Sequence, residues 1–247
     1  MTYFNIIKLD ATDSTNDWLK DKYNLGKCND GDLIWADHQI KGRGQRDKIW
    51  ESEPGKNLTF SLYKQYSSFS VDHSFLINCA VSLAVLSAIS QLTNKAFKLK
   101  WPNDILSGKK KIGGVLIENM VKGSRITGSI IGIGINVNQV AFDGLPQASS
   151  LALVTGENFV IELLLDNILK QLNERLNQLA QVQIHKSYLL HQYESCLFRK
   201  GEPSEFATLT KKFDATLQGI TESGEIIIKK SSGEELKFAH GAIKMIY

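Results

Sequence analysis

Residues Phe97 to Val137 read FKLKWPNDILSGKKKIGGVLIENMVKGSRITGSIIGIGINV, and this run decides the fold. Phe97 to Trp101 is a strand, stopped by Pro102, which lacks the N–H that a central strand needs. Asn103 and Asp104 continue as a loop. Ser107-Gly108 marks a tight turn, and Lys111 to Asn119 is the returning strand. Lys122-Gly123 makes the next turn, and Arg125 to Val137 is a long strand dense in Ile and Gly. Strands joined by such short turns pair antiparallel. The glycines at 113 and 114 and those interrupting IIGIGI fit strands whose backbone is closely approached, by a ligand or by another strand.

Upstream, Tyr3 to Leu9 reads as a first strand and Asp10 to Asp13 as a polar turn. Ser14 or Asp13 can cap a helix that turns Trp18, Leu19 and Leu25 inward. Asp32 to His38 and Asn57 to Lys64 are further strands. Ser70 or Asp72 can cap a helix running to about Leu92; it is apolar nearly all round, which marks a buried helix. Downstream, Val140 to Ser150 is a loop. Glu157 to Leu179 carries Val160, Leu163, Leu164, Ile168, Leu169, Leu172, Leu176 and Leu179 at helical spacing. His185 to Leu197 is a further helix with Tyr188, Leu189, Tyr193 and Leu197 on one side. Near Arg199 the pattern changes to short strands: 205–209, 213–220, 225–230, 236–239 and 242–246. Glu222-Ser-Gly224 and Ser231-Ser-Gly233 are hairpin signals within them. The expected fold is α+β, a mixed but mainly antiparallel sheet backed by helices. Two parts follow, residues 1–198 and a small β-barrel-like module over 199–247.

The chain has 247 residues, 43% apolar and 22% charged, with a net charge of +3. That is ordinary for a globular enzyme, and too weakly basic to imply nucleic-acid binding. Cys28, Cys79 and Cys196 show no paired spacing, which fits a reducing compartment. The N-terminus has no secretory pattern, and the most apolar run, Phe75 to Ile89, is too short to span a membrane. A cytoplasmic location without membrane contact is expected.

Charge is concentrated locally. Gly42 to Trp50 reads GRGQRDKIW, with Lys41, Arg43, Arg46 and Lys48 against the single acid Asp47. Glycines spacing guanidinium groups suit chemistry on phosphate oxygens. A solvated basic loop has the same look, and motif matches of this size carry a false-positive risk. Ser14-Thr15-Asn16 reads either as a plain helix cap or as a cluster of small polar groups beside free helix N–H groups, able to hold a neutral, polar ring. Lys111 adjoins Lys109 and Lys110, and a basic surface hairpin is the bland reading.

In order along the chain, STN (Ser14 to Asn16), GRGQRDKIW, KWPND (Lys100 to Asp104) running into KKKIGGVLIEN, and GIGINVN (Gly132 to Asn138) resemble the biotin protein ligase family. The resemblance covers nearly the whole chain. It implies a ligase that activates biotin with ATP as biotinyl-5′-AMP and transfers it to a lysine of a biotin carboxyl carrier protein. It implies a biotin/lipoate-ligase-like catalytic fold closed by an SH3-like C-terminal domain. Lys111 matches the family's central lysine, between biotin carboxylate and α-phosphate, and Arg43 the arginine that contacts both. Ser14, Thr15, Asn16, Gln39, Gly42 and Gly114 match the biotin site. Gly44, Gln45, Arg46, Trp50, Asn103 and Asn136 match positions around the adenylate, with Trp50 anchoring the loop. Lys100 and Asp104 belong to KWPND. Magnesium is expected as the partner of ATP, with no self-contained metal site. Relatives often pair through the sheet edge, so monomer and homodimer both remain open. The family loop is usually GRGRxGRxW; Gln45 here removes one positive charge, which predicts weaker adenylate retention, and Asp47 puts an acid beside the phosphates. With nothing before Tyr3, no sequence-specific DNA binding is expected. Lipoate protein ligase, a binding protein without turnover and a nucleic-acid binder are the competing readings.

Overall fold

The computed structural model describes residues 3–46, 48–179 and 182–247. Strand β1 (Asn5–Thr12) lies parallel to β2 (Asp32–Gln39), joined through helix α1 (Thr15–Asn24). Strand β3 (Asn57–Ser70) turns back antiparallel to β2 and leads into helix α2 (Ser74–Ser90). Strands β4 (Phe97–Lys100), β5 (Asp104–Ser107), β6 (Lys110–Lys122) and β7 (Arg125–Asn136) form a meander. The seven strands make one sheet in the order β1-β2-β3-β7-β6-β5-β4, mixed only at its β1–β2 edge. Helices α3 (Leu151–Thr155), α4 (Ile161–Leu179) and α5 (Val182–Ser195) follow. A second, antiparallel sheet, in the order β11-β10-β9-β8-β12, comprises β8 (Pro203–Ala207), β9 (Lys212–Ile220), β10 (Ile226–Lys230), β11 (Glu235–Phe238) and β12 (Lys244–Ile246).

The all-round apolar sequence of α2 explains its place: Leu76, Ile77, Val81, Val85 and Ile89 are buried in one core with sheet residues such as Phe60, Ile131 and Ile133 and with Leu164, Ile168 and Leu172 of α4. The helical run Val71–Ser90 is 20 residues long and apolar enough to cross a membrane, longer than the run read from sequence, but 67% of that stretch is buried inside the fold. It is a core helix.

Several expectations need correction. Asp104 opens a strand, β5, rather than continuing a loop, because Asp104 and Ile105 find partners on both β4 and β6. Leu151–Thr155 is a short helix, capped by Ser150, whose hydroxyl accepts from Leu153 N–H. Ser70 caps a single 3₁₀ turn, and α2 starts one turn later, at Ser74. Strand β3 continues past Lys64, since Phe69 and Ser70 still pair with Ile126 and Arg125 of β7. Leu25 ends α1 and is exposed; Val160, Leu163 and Tyr188 are also exposed. Their spacing is helical, but they sit at helix starts or on outer faces where nothing covers them.

The second sheet shares the core: Phe206, Leu217 and Ile228 are buried continuously with α2 and the large sheet. Polar ties fix the join. Glu194 of α5 accepts from Ile220 N–H at 2.8 Å and from Lys200 Nζ at 2.6 Å. Trp101 Nε1 donates to the Gly224 carbonyl at 3.0 Å. These ties bring the β8–β9 and β11–β12 connections over the end of the large sheet.

Candidate active site

One cavity of about 490 Å³ opens between the start of α1, the basic loop, the faces of β6 and β7, and the second sheet. Its size suits a small organic ligand. Its two ends differ chemically.

At the first end the polar groups are uncharged and buried. Ser14 caps α1, and Ser14, Thr15 and Asn16 are each at most 3% exposed. Thr15 donates to Gln39 Oε1 from its backbone N–H at 2.9 Å and from its hydroxyl at 3.0 Å. Ser61 of β3 lies 2.7 Å from the Thr15 hydroxyl and donates to Asn16 Oδ1 at 2.6 Å. Asn16 Nδ2 donates to Glu118 Oε2 at 2.8 Å. Buried polar groups persist only when paired, and here the pairing runs from side chain to side chain across α1, β2, β3 and β6. Gly132 makes room for it: a Cβ there would lie 2.3 Å from Asn16 Oδ1.

The second end is cationic. Arg43, Arg46, Lys48, Lys100, Lys111 and Lys244 line the cavity against the single carboxylate Asp104, among the described residues. The loop folds on itself: Trp50 N–H donates to the Gly42 carbonyl at 2.8 Å and Gly44 N–H to Lys48 O at 2.6 Å. The Trp50 ring packs on β7 at Gly134, where a Cβ would lie 2.7 Å from it. Lys111 Nζ sits 5.7 Å from the centroid of that ring, within cation–π range. Its ion-pair partner is Asp104 Oδ1 at 2.5 Å; Lys100 Nζ lies 3.5 Å from the other oxygen. The Lys100 ammonium is held below its usual pKa, first by burial and then by the charges of Lys111 and Lys48, with Asp104 opposing.

Arg43 Nη2 lies 2.8 Å from Asp17 Oδ1 and 2.7 Å from Glu118 Oε2. Arg46, in the left-handed region at φ 54°, donates to the carbonyls of His240 at 2.6 Å and Gly241 at 3.1 Å. The loop is thereby tied to the second sheet. His240 packs edge-on against Trp101. Burial, then Arg46 and Lys48, push the His240 imidazole below its usual pKa.

The structure brings Ser14, Thr15, Asn16, Gln39, Arg43, Gly44, Gln45, Arg46, Trp50, Asn103, Lys111 and Gly114 to one cavity wall. Gly42 and Asn136 stand behind that wall. Gly42 pairs with Trp50, and Asn136 Nδ2 donates to Ser149 O at 2.9 Å while its buried Oδ1 has no partner. Asn103 also supports the strands, donating to Val115 O. Asp47 lies outside the described residues. Sequence reasoning missed Ser61, Glu118 and the second-sheet residues Thr208, Leu209, His240 and Lys244. An acid inside the apolar run VLIEN was the one signal for Glu118.

A divalent metal has no ready seat in the chain. Among the described residues no cluster of three His, Cys, Asp or Glu side chains forms. The one carboxylate on the cavity wall, Asp104, is engaged by two lysines. Hard cations need several oxygen ligands, and these described residues do not supply them.

Over residues 9–136 the sequence matches the model of the biotin/lipoate A/B protein ligase family. The bifunctional ligase/repressor BirA of Bacillus spizizenii is 28% identical over 243 residues, covering 93% of this chain and 70% of that protein. The biotin–[acetyl-CoA-carboxylase] ligase of Mycobacterium tuberculosis is 31% identical over 143 residues, 57% of this chain and 52% of that one. The structure of the biotin protein ligase from Aquifex aeolicus in complex with biotin and ATP superposes with a TM-score of 0.80 at 28% identity, covering 98% of each chain.

Proposed function

The chain belongs to the biotin/lipoate A/B protein ligase family, and from that premise we propose that this enzyme joins biotin to a protein lysine in two steps. In the first, a biotin carboxylate oxygen attacks the α-phosphorus of ATP. The bond to the β-phosphate bridge breaks, pyrophosphate leaves, and biotinyl-5′-AMP forms. In the second, a lysine amine attacks the acyl carbon, the C–O bond to AMP breaks, and the amine proton is lost to solvent. The acceptor we infer is a biotin carboxyl carrier protein, met in the cytoplasm.

One observation carries this reading: a single cavity with a buried, uncharged polar end and a cationic end. A ureido ring presents two donors and an acceptor, and matches Thr15, Asn16 and Gln39. The dithiolane of lipoate presents neither donors nor such an acceptor and would gain no hydrogen bonds there, so this end favours the ureido ring. At the other end, two anions must meet while negative charge builds on phosphorus, and preorganised cations stabilise that arrangement. Lys111 exchanges Asp104 for the reacting carboxylate and phosphate; as a compact charge on a flexible stem it can follow the group through both steps. Arg43 meets the same anions. Gly44, Gln45 and Arg46 lie along the nucleotide side, with Trp50 fixing the loop between them and the sheet. Asn136 supports the wall from behind, through the Ser149 carbonyl. Residues 1–198 act as the catalytic part, and residues 199–247 complete the wall with Thr208, His240 and Lys244.

The test is pyrophosphate exchange into ATP, with biotin and lipoate in parallel, for wild type and Lys111→Ala. Exchange is expected to require biotin and to fall by about 10²–10³-fold in the variant. Exchange driven by lipoate instead would move the chain to the lipoate branch. Exchange with neither acid would leave a binding protein without turnover.

A further inference from the structure

Glu118 of β6 does not line the cavity, but one of its oxygens is hydrogen-bonded to a wall residue at each end. Oε2 accepts from Asn16 Nδ2 at 2.8 Å and from Arg43 Nη2 at 2.7 Å. Oε1 lies 3.3 Å from Lys20 Nζ. Burial raises its pKa, but the bonds from Asn16 and Arg43 and the charges of Arg43 and Lys20 outweigh that, and the net shift is downward. The group is therefore an ionised, acceptor-only carboxylate.

Two consequences follow from that chemistry. An ionised carboxylate can face only the NH₂ side of the Asn16 amide, so Glu118 decides which way Asn16 points. The amide oxygen is left to Ser61. Arg43, meanwhile, shares one terminal nitrogen between Glu118 and Asp17, and these side chains are 39%, 23% and 44% exposed, respectively. Pairs this open to solvent are weak. A ligand carboxylate that offers two oxygens to the guanidinium fork competes with them successfully.

We propose that Glu118 is a positioning residue acting through Asn16 and Arg43: it orients the amide at the polar end and, with Asp17, parks the guanidinium until a ligand carboxylate draws it away. Occupying the polar end and releasing Arg43 are then linked through one side chain, because the ligand bears a ureido ring at one end and an anion at the other. The proposal rests on the biotin reading above.

Calorimetry with biotin and with its neutral alcohol, biotinol, separates the two roles, because biotinol keeps the ring and lacks the anion. Glu118→Gln retains an acceptor for Asn16 but no charge for Arg43. Biotinol should bind it as it binds wild type, and biotin about threefold tighter. Asp17→Asn, whose side chain makes no hydrogen bond to Asn16, should show the same split. Glu118→Ala removes the acceptor, and biotinol binding should weaken about tenfold. Melting temperatures taken alongside identify any variant that merely unfolds, and Asp17→Asn remains as the independent readout. If all three variants shift biotin and biotinol by one common factor, the proposal is overturned while the biotin reading stands. If wild type binds neither ligand, the reading and the proposal fall together.

Discussion

The two ends of the cavity are built on opposite plans. At the polar end, the side chains rise from a helix start or a sheet strand; Thr15, Asn16 and Ser61 are almost wholly buried and bond to one another or to Gln39. At the loop end, the cations are partly exposed and are held by the chain's own acceptors: Arg43 by Asp17 and Glu118, Lys111 by Asp104, and Arg46 by two carbonyls of the second sheet. The difference follows from the ligand each end must meet. A neutral ring can be recognised by a finished, rigid network, since nothing has to be released when it binds. A clustered set of positive charges cannot stand empty without cost, so Arg43 and Lys111 take internal carboxylates that an anion can replace, while Arg46 is held by carbonyls that fix the loop. The first end is preorganised; the second is pre-paired.

Breaking the preorganised end should have the largest effect. Gly132 lies on β7 between Ile131 and Ile133, both buried, so the strand cannot yield. A methyl group there would lie 2.3 Å from Asn16 Oδ1 and force that amide out of its network. Gly132→Ala is expected to weaken biotin binding by at least about a hundredfold and to cost roughly 2–3 kcal/mol of stability. Biotin titration and chemical denaturation would measure both. ATP binding, read by equilibrium dialysis, should fall far less, because Asn16 reaches the cationic end only indirectly, through Glu118 and Arg43. Equal losses at both ends would show that the contrast drawn here is false.

How much of each end was legible beforehand follows the same division. The basic loop declared itself because its residues are adjacent: five of its nine positions are Gly, Arg or Lys before Ile49 and Trp50. The hairpins from β4 to β7 were equally local, and the Ser107-Gly108 and Lys122-Gly123 turns stand where expected. Ser61 could not be read, and Glu118 only as an acid out of place in an apolar run, for the opposite reason. Each is a polar residue in an apolar strand, and its meaning depends on Asn16, 45 and 102 positions away. Arg46 was read as holding either the loop or the triphosphate, and the partners that tie the loop lie 194 and 195 positions downstream, beyond the reach of local sequence. Strand β5 was missed because four residues after a proline carry no periodicity of their own. Pairing on both sides makes the strand, and that is decided by the sheet.

The tie between loop and second sheet sharpens the comparison at an intermediate scale. Gly241 has φ 82°, and an ideal Cβ there would overlap the Arg46 guanidinium. Gly241→Ala adds backbone strain and evicts Arg46 from the two carbonyls, so the KM for ATP should rise about fivefold with biotin affinity unchanged. Arg46→Ala should do the same, and the double variant should be no worse than either single one, since both remove one interaction. Additive effects would mean that Arg46 contacts nucleotide independently of the latch.

The smallest effect expected is a gain. Gln45 lines the cavity between Gly44 and Arg46, where the usual loop pattern of the family has a further arginine. Among the described residues the site already holds six cations against one carboxylate, and Gln45 is only half-buried, so a further positive charge works through partly solvated space. Exposed charges contribute little. Gln45→Arg should slow the dissociation of biotinyl-5′-AMP by about threefold, measured by displacement of labelled adenylate, and the slowing should shrink as salt is raised. Unchanged release would mean that retention is set by the polar end and by Lys111 and Arg43 alone. The loop's missing charge would then have no bearing on how long the intermediate is held.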